Sequence, residues 1–294
     1  MKKTVAVVVT YNRKIMLKEC IEALIKNKNL NVLIIDNAST DGTYDEIKSY
    51  LNKKVSYVNT GSNLGGAGGF SFGIKQIVNK DYDYCWIMDD DTIVKKDSLS
   101  AMLEAAERIN DKFSFMSSVT LWTDNNLCLM NIQGVSSSAI ENYKSLTNSL
   151  LKIDYASFVS CFINIKYIKK VGLPIKEFFI YGDDMEYTMR LNKLAPGYLN
   201  PNSVVIHKMK ENVGINIIDV ESSRIDRFTY NYRNLSYIYK KYNPKEYKLF
   251  RLKYYYMILK ILFKSKDNKL KRINAIRKGM KQGKKFNPTI ENVK

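Results

Sequence analysis

Residues 84–91 read Tyr84-Cys85-Trp86-Ile87-Met88-Asp89-Asp90-Asp91, an apolar run that ends in three adjacent acids. An apolar run without alternation is typical of a strand that is buried on both faces of a parallel sheet. Asp89 and Asp91 point to the same side of an extended chain, and two such carboxylates suit a hard divalent cation. An acidic loop that only caps the next helix is the alternative, but three uncompensated acids repel one another. The motif therefore favours a metal site at a strand end.

The same pattern of buried strand and helix extends outward from this motif through about the first 120 residues. Val5–Val9, Val32–Ile35 and Val55–Val58 predict further strands, and apolar residues at helical spacing predict the helices between them. Repeated β-α-β units with continuous apolar strands predict an α/β fold, with a mostly parallel sheet covered by helices on both faces.

Polar residues follow each of these four strands. In parallel sheets, ligands bind beyond the carboxyl ends of the strands, so these clusters are expected to converge at one edge. The clusters are Thr10-Tyr11-Asn12-Arg13, Asp36-Asn37, Asn63 to Gly69, and Asp89-Asp90-Asp91.

The glycine-rich stretch Gly65-Gly66-Ala67-Gly68-Gly69 opens the third predicted helix. Glycine lets a backbone approach a ligand closely, and a helix N-terminus offers free N–H groups to an anion. The stretch is neither G-x-G-x-x-G nor a P-loop, and its glycines could serve only tight packing. Asp36 could accept a pyrimidine imide N–H or a ribose hydroxyl, whereas Thr40 or Asp41 could cap the following helix.

Two further candidates lie later in the chain. His207, the single histidine, ends the apolar run Val204–Ile206; a lone histidine is more often structural, but this one could complete a manganese site made mostly of carboxylates. Asp183 and Asp184 lie at a predicted helix start, where one could act as a base toward a hydroxyl group or simply cap the helix. The helix N-terminus is expected to lower the pKa of such a carboxylate.

Glu186 and Arg190 are spaced one helical turn apart and are expected to form a structural ion pair, which leaves the two preceding acids freer. Asn125-Asn126 and Ser136–Ser138 indicate loops.

The net charge of +18 is unevenly distributed: from Lys240 onward about 18 lysines and arginines face three acids. Such a block could be a solvated face, a nucleic-acid patch or a patch for an anionic membrane. Residues 254–263 are apolar or aromatic apart from Lys260 and have lysine on both flanks, which favours peripheral contact with an anionic membrane surface and no nucleic acid.

The start of the chain resembles a signal peptide, but its apolar run stops after Val9 and lacks a small-residue cleavage site, so a first strand is favoured. No stretch reaches the ~18 apolar residues that a membrane span needs. Scattered cysteines without C-x-x-C spacing are expected to be buried free thiols in a reducing compartment. These features together predict a cytoplasmic protein at the inner face of the cell membrane. The cysteines are Cys20, Cys85, Cys128 and Cys161.

Taken together, these segments resemble the GT-A-fold inverting glycosyltransferases of family 2. The resemblance covers roughly residues 4–210 in the expected order and rests on residues 7–13, 34–42, 63–66, 89–91 and 172–207. Residues 63–70, 88–91 and 183–187 are more specifically similar to the galactofuranosyltransferase and rhamnosyltransferase branch.

The resemblance implies a UDP- or dTDP-linked sugar donor and a Mn²⁺ or Mg²⁺ cofactor. It implies that Asp89, Asp91 and His207 bind the metal, that Asp36 holds the pyrimidine base and that Asp184, beside Asp183, is the general base. Thr10 and Arg13 would line the nucleotide pocket. The nucleotide site is expected to include Thr10, Tyr11, Arg13, Asp36, Asn63, Gly65, Gly66 and Asp90.

The expected activity is transfer of galactofuranose from UDP-galactofuranose to a lipid-linked or cell-surface polysaccharide precursor. Gly182 stands where members of this branch often carry tryptophan, so a dTDP-rhamnose donor is a second possibility. A silent sugar-nucleotide-binding domain and a nucleic-acid-binding protein are further alternatives. Residues 1–215 are expected to form the catalytic domain, and residues 216–294 a basic helical region.

Overall fold

The computed structural model describes residues 2–136 and 149–293, so the loop predicted at Ser136–Ser138 lies mostly outside the described residues. The strands are β1 (Thr4–Thr10), β2 (Leu30–Asp36), β3 (Val55–Asn59), β4 (Tyr84–Asp89), β5 (Thr92–Val94), β6 (Phe115–Leu121), β7 (Gly134–Val135), β8 (Leu151–Tyr155), β9 (Cys161–Asn164) and β10 (Gly197–His207). The helices are α1 (Lys14–Leu24), α2 (Thr43–Ile47), α3 (Gly65–Ile77), α4 (Ser98–Arg108), α5 (Ile165–Val171), α6 (Asp183–Asn192), α7 (Phe228–Tyr242), α8 (Pro244–Lys264) and α9 (Lys269–Lys285).

One sheet contains all of these strands, in the order β3-β2-β1-β4-β9-β6-β10-β8-β7, and β5 pairs separately with β10. Strands β1 to β4 pair with one another in parallel, as do β6 and β10, while β9 lies antiparallel between β4 and β6. Apolar side chains of α1 and α4 cover one face, and those of α3 and α6 cover the other. The predicted mostly parallel sheet between two helical layers is confirmed.

The second half of the sheet differs from the sequence prediction in two places. The mostly apolar sequence of residues 158–165 predicts one strand, but these residues form a turn of 3-10 helix followed by the shorter β9. The short strand predicted at Val204–Ile206 is the end of the 11-residue β10. Its first half was missed because the polar residues 200–203 resemble a turn, whereas they form an irregularity in the pairing of β10 with β6.

The glycines of α3 serve close packing between this helix and the sheet. A Cβ atom at Gly69 would lie 2.6 Å from Val9 Cγ1, and one at Gly73 would lie 2.5 Å from Val7 Cγ1. Gly66 differs, because a Cβ atom there meets nothing within 4 Å. Tight packing, the alternative left open by the sequence, therefore accounts for most of these glycines.

The C-terminal region is helical and basic, as predicted, and α7, α8 and α9 enclose a core of their own. The chain then returns to the sheet, where the Leu173 N–H donates to the Glu291 carbonyl at 2.8 Å. Within the described residues, no helix combines the length and apolar character needed to cross a bilayer. The four cysteines are buried and free, as expected. The division at residues 215/216 stays a prediction.

Candidate active site

The polar clusters that follow β1 to β4 meet at one edge of the sheet, as the strand pattern predicted. Thr10 Oγ1 donates to Asp90 Oδ2 at 2.7 Å, and the Asn37 N–H donates to the Thr10 carbonyl at 2.9 Å. The Asn37 side-chain amide donates to the Gly65 carbonyl at 3.0 Å. Four segments that are distant in sequence therefore form one continuous polar edge.

Asp89, Asp91 and His207 each offer a ligand atom, and these atoms lie within 4.8 Å of one another. The pairing of β10 with β5 sets His207 opposite Thr92, and the Lys208 N–H donates to the Asp91 carbonyl at 2.9 Å. The end of β10 is thereby fixed beside the acids.

Asp91 provides a test of whether this group fits a metal ion. Its buried Oδ1 lies 3.0 Å from His207 Nε2, so it has a hydrogen-bond donor only while that nitrogen carries a proton. A divalent cation bound between the two side chains would take the place of that proton. Two carboxylates and one imidazole form a donor set that suits Mn²⁺. The residues present therefore fit the expected metal.

Arg13 and His207 compensate the charge of the three adjacent acids. Arg13 Nη1 lies 2.5 Å from Asp91 Oδ2 and 3.3 Å from Asp90 Oδ1. Burial raises the pKa of Asp89 to about 6 and that of Asp90 to about 7. Burial also acts to raise the pKa of Asp91, but His207 and Arg13 outweigh it and lower that pKa to about 2. Asp91 is therefore the acid that stays ionised.

A hydrogen bond from the side away from the acids orients His207. Its Nδ1 lies 2.7 Å from Asn131 Oδ1, and Asn131 Nδ2 in turn donates to Ser157 Oγ at 3.0 Å. Because a carbonyl oxygen accepts at Nδ1, that nitrogen carries the proton and Nε2 is directed toward Asp91. Sequence reasoning missed Asn131, since no pattern marks an isolated asparagine 76 positions before its partner.

Asp183 and Asp184 occupy the first turn of α6, but neither caps it. The capping position is Gly182, with φ of 79° and no side-chain hydrogen bond, so the capping alternative does not account for the acids. The charge of Asp184 contributes to the raised pKa of Asp89, and that of Asp89 contributes to the raised pKa of Asp183. The acid pair therefore lies close enough to the candidate metal ligands for their charges to interact.

The expected lowering of the pKa at this helix start is wrong in direction. Burial raises the pKa of Asp184 to about 6, although the Met185 N–H, which donates to Asp184 Oδ1 at 2.7 Å, acts to lower it. Burial and the charge of Asp184 raise the pKa of Asp183 well above its usual value. At neutral pH, Asp184 is mostly ionised and Asp183 holds its proton more tightly.

Glu186 and Arg190 form the expected structural pair. Arg190 Nη2 lies 2.9 Å from Glu186 Oε2, and both side chains are buried. Arg190 also donates to the carbonyl groups of Val171 and Leu173, and the Tyr242 hydroxyl donates to Glu186. The pair therefore ties α6 to the chain before it and to the end of α7.

The remaining candidates of the nucleotide site lie along the same edge. Asp36 is buried, and its two oxygens accept the Ser39 N–H at 2.8 Å and the Tyr57 hydroxyl at 2.7 Å. Asn63 Oδ1 accepts the Gly65 N–H at 2.9 Å, whereas Tyr11 is exposed. Tyr57, which sequence reasoning did not identify, is a direct hydrogen-bond partner of the Asp36 carboxylate.

Replacing Asn131 with alanine should weaken Mn²⁺ binding about 10- to 100-fold, because His207 loses the partner that orients it. Gln133→Ala is the matched control. Gln133 is close in sequence to Asn131, but its side-chain amide donates to Ser117 Oγ and the Ser118 carbonyl in β6 rather than supporting His207. Free Mn²⁺ can be followed by electron paramagnetic resonance, with and without UDP. Equal affinity in the wild type and Asn131→Ala would show that His207 needs no such support.

Comparison with known proteins identifies the family of this chain. Residues 5–166, more than half of the chain, match the model of the family "Glycosyl transferase family 2". Abequosyltransferase RfbV of Salmonella typhimurium strain LT2 is 34% identical over 100 residues, which is 32% of this chain and 29% of that protein. Galactofuranosyltransferase GlfT1 of Mycolicibacterium smegmatis is 23% identical over 212 residues, which is 67% of this chain and 70% of that protein.

Among solved structures, that of GalNAc-T7 with UDP, GalNAc and Mn²⁺ matches with a TM-score of 0.65 at 13% sequence identity. The match covers 96% of this chain and 56% of that chain, and at this identity it shows the fold alone. The GT-A fold implied by the sequence is therefore confirmed, and the chain belongs to glycosyl transferase family 2.

Proposed function

We propose that this chain is an inverting, metal-dependent hexosyltransferase that moves a sugar from a nucleoside-diphosphate donor to a glycan acceptor. The observation that carries the proposal is the group of Asp89, Asp91 and His207 at the polar edge, with Asp183 and Asp184 near enough for the charges of the two groups to interact. A candidate base thus lies near the candidate site for a diphosphate leaving group. A single displacement at the anomeric carbon requires this pair of sites.

The donor is held at the polar edge in this proposal. Asp89, Asp91 and His207 would hold Mn²⁺ or Mg²⁺, which when bound offsets the charge of the diphosphate and improves it as a leaving group. Arg13 adds a fixed positive charge at the same edge, and Thr10 orients Asp90. The nucleotide binds along Thr10, Tyr11, Arg13, Asp36, Asn63, Gly65, Gly66 and Asp90.

Asp184 accepts the proton of the acceptor hydroxyl group. The hydroxyl oxygen forms its bond to the anomeric carbon as the bond from that carbon to the donor phosphate oxygen breaks, so the nucleoside diphosphate leaves and the configuration inverts. A pKa of about 6 leaves Asp184 ionised at neutral pH yet basic enough to take a proton. Burial and the charge of Asp184 raise the pKa of Asp183 further, so Asp183 keeps its proton more tightly and is not the base.

UDP-galactofuranose is our first choice of donor. The similarity to the mycobacterial galactofuranosyltransferases extends over two thirds of this chain, which supports the choice. A dTDP-rhamnose donor is the second candidate. Binding of nucleic acid is not favoured, because the buried acids at the polar edge repel phosphate unless a cation is present.

The exposed face of α8 supports contact with a membrane. Its other side packs on α7 through Phe250 and Ile261. The outer side exposes a stripe at helical spacing that consists of Leu249, Leu252, Tyr256, Leu259 and Phe263. Phe263 is 84% exposed, an unusual position for a phenylalanine unless something covers it.

We infer that an anionic bilayer covers this stripe, because lysines surround it and lysine is the complement of acidic headgroups. Lys248, Lys253, Lys264 and Lys266 are all exposed near the stripe. The inner face of the cell membrane carries such lipids, and a lipid-linked polysaccharide precursor is the acceptor that this location would supply.

The activity is tested by nucleoside diphosphate release from UDP-galactofuranose, UDP-galactose, UDP-glucose and dTDP-rhamnose with a lipid-linked oligosaccharide acceptor. We expect release from one donor, UDP-galactofuranose first, and its loss when EDTA removes the metal. Preference for dTDP-rhamnose would correct the donor and keep the mechanism. Metal-dependent nucleotide binding without any turnover would contradict the proposed activity.

Replacing Asp184 with asparagine should lower kcat about 100- to 10,000-fold, because the base is lost. Asp183→Asn is the matched control and should cost less than about tenfold, because a neutral side chain replaces one that already holds its proton. The wild-type kcat should rise with pH through about 6 and then level off, as the carboxyl group ionises. Equal losses in the two variants would contradict the assignment.

Replacing Leu259 and Phe263 together with glutamate should abolish binding to phosphatidylglycerol vesicles without changing the melting temperature, because both side chains are exposed. Ile25→Glu with Leu194→Glu makes the same charge change at exposed sites outside the C-terminal region. We expect sedimentation with anionic vesicles in the wild type and control only, weakening with salt. If all three proteins sediment equally with the vesicles, or if none of them sediments, membrane contact through α8 is refuted.

A further inference from the structure

The loop that leads into Asp183 and Asp184 has an unusual backbone. Phe179 and Tyr181 have φ of 64° and 67°, in the left-handed region that side chains rarely adopt, and Gly182 follows with φ of 79°. Such conformations cost free energy and persist only where the surrounding contacts hold them. The residues that supply these contacts therefore control where the acids lie.

Hydrogen bonds from outside the loop reach five consecutive carbonyl groups, those of residues 177 to 181. Arg233 donates to the carbonyl groups of Glu177 and Phe178. Asn234 Nδ2 lies 3.0, 3.1 and 2.7 Å from those of Phe178, Ile180 and Tyr181, which share its two hydrogens. The Ala67 N–H, in the glycine-rich turn of α3, donates to the fifth, Phe179, at 3.2 Å.

Aromatic contacts join the loop to the same helix. The ring of Phe178 meets Tyr237, Phe179 stacks on Tyr230, and Tyr181 lies against Phe228, with centroid distances of 5.7, 5.1 and 5.9 Å. All three partners belong to α7, which also carries Arg233 and Asn234. One helix of the C-terminal region thus shapes the loop before the acids.

We propose that Asn234 is a positioning residue for Asp184, and that α7 is part of the active site although none of its residues is a candidate ligand of the donor. The inference rests on the proposed function, in which Asp184 is the base. Asn234 is fully buried, and its shortest bond, to the Tyr181 carbonyl, ends three residues before Asp184.

The amide of Asn234 is suited to this role for a specific reason. A buried carbonyl group without a hydrogen-bond partner costs free energy. The loop stays against α7 because the Asn234 amide supplies N–H groups to its carbonyl groups. Without them, the loop can relax from its left-handed conformation, and the first turn of α6 shifts with it. Most of the donor edge lies at the ends of β1, β2 and β4, and the hydrogen bond from the Ala67 N–H to the Phe179 carbonyl does not involve Asn234, so this edge stays in place. The acceptor step is therefore affected while nucleotide binding is not.

The test compares Asn234→Ala with Asn234→Gln, which keeps the donor group, and with Phe250→Leu. Phe250 packs within the C-terminal core and touches no part of the loop, so its variant controls for a general loss of stability. Three quantities are measured on the full chain: kcat, the Kd for UDP with Mn²⁺, and hydrogen exchange of the amides of residues 178–186.

For Asn234→Ala we expect kcat to fall about 10- to 100-fold, the UDP affinity to stay within about twofold, and exchange in residues 178–186 to accelerate. Asn234→Gln should recover part of kcat, and Phe250→Leu should lower the melting temperature without these effects. If Asn234→Ala does not fold, Arg233→Gln removes two other hydrogen bonds from α7 to the same loop and should give the same pattern to a smaller degree.

An unchanged kcat with unchanged exchange would overturn the inference, and so would an equal kcat loss in Phe250→Leu. A wild type that binds UDP but turns over no donor would instead refute the proposed function. In that case the exchange measurement still decides whether Asn234 holds the loop, because it needs no substrate.

Discussion

Charge compensation around the three acids after β4 is the constraint on which the rest of the site depends. Asp89, Asp90 and Asp91 are packed side by side at a largely buried strand end, where their mutual repulsion and their loss of solvation both oppose ionisation. Arg13 from the end of β1 and His207 from the end of β10 offset this cost. The acids are therefore tenable because β1 ends beside β4 and because β10 pairs with β5, the short strand that directly follows the acids.

The same constraint separates the acids into different chemical states. Asp91, close to both cations, is ionised at all ordinary pH values, whereas Asp89 and Asp90 titrate near neutrality because burial dominates. Asp183 and Asp184 differ in a similar way, because the pKa of Asp183 is raised well above its usual value and that of Asp184 is raised to about 6. Acids of one chemical type thus acquire distinct roles through their neighbours alone.

The first half of the fold could be predicted from sequence because its signals are local. Continuous apolar runs mark β1 to β4, and the polar residues after each run mark the shared edge. The direction of β9 was not predictable, since an antiparallel strand and a parallel one have the same buried composition. Likewise, nothing in the polar residues 200–203 shows that β10 continues through them.

The supporting residues of the site were beyond sequence reasoning for a different reason. Acids, glycines and the single histidine form recognisable patterns, but Asn131 and Asn234 act on groups 76 and 56 positions away. Their partners are a ring nitrogen and backbone carbonyl groups, and backbone groups exist at every position. Only the folded chain shows which asparagine meets which of them.

The position of α7 in the chain has a consequence for the order in which the protein matures. A ribosome adds about 5–20 residues per second, and domains tend to fold from the N-terminus as they emerge. The ligand group of Asp89, Asp91 and His207 is complete before α7 has been synthesised, whereas the acid loop has to wait for Arg233 and Asn234. A nascent chain can therefore form its nucleotide edge before the loop that positions Asp183 and Asp184 is in place. Nucleotide binding thus becomes possible during synthesis earlier than catalysis does.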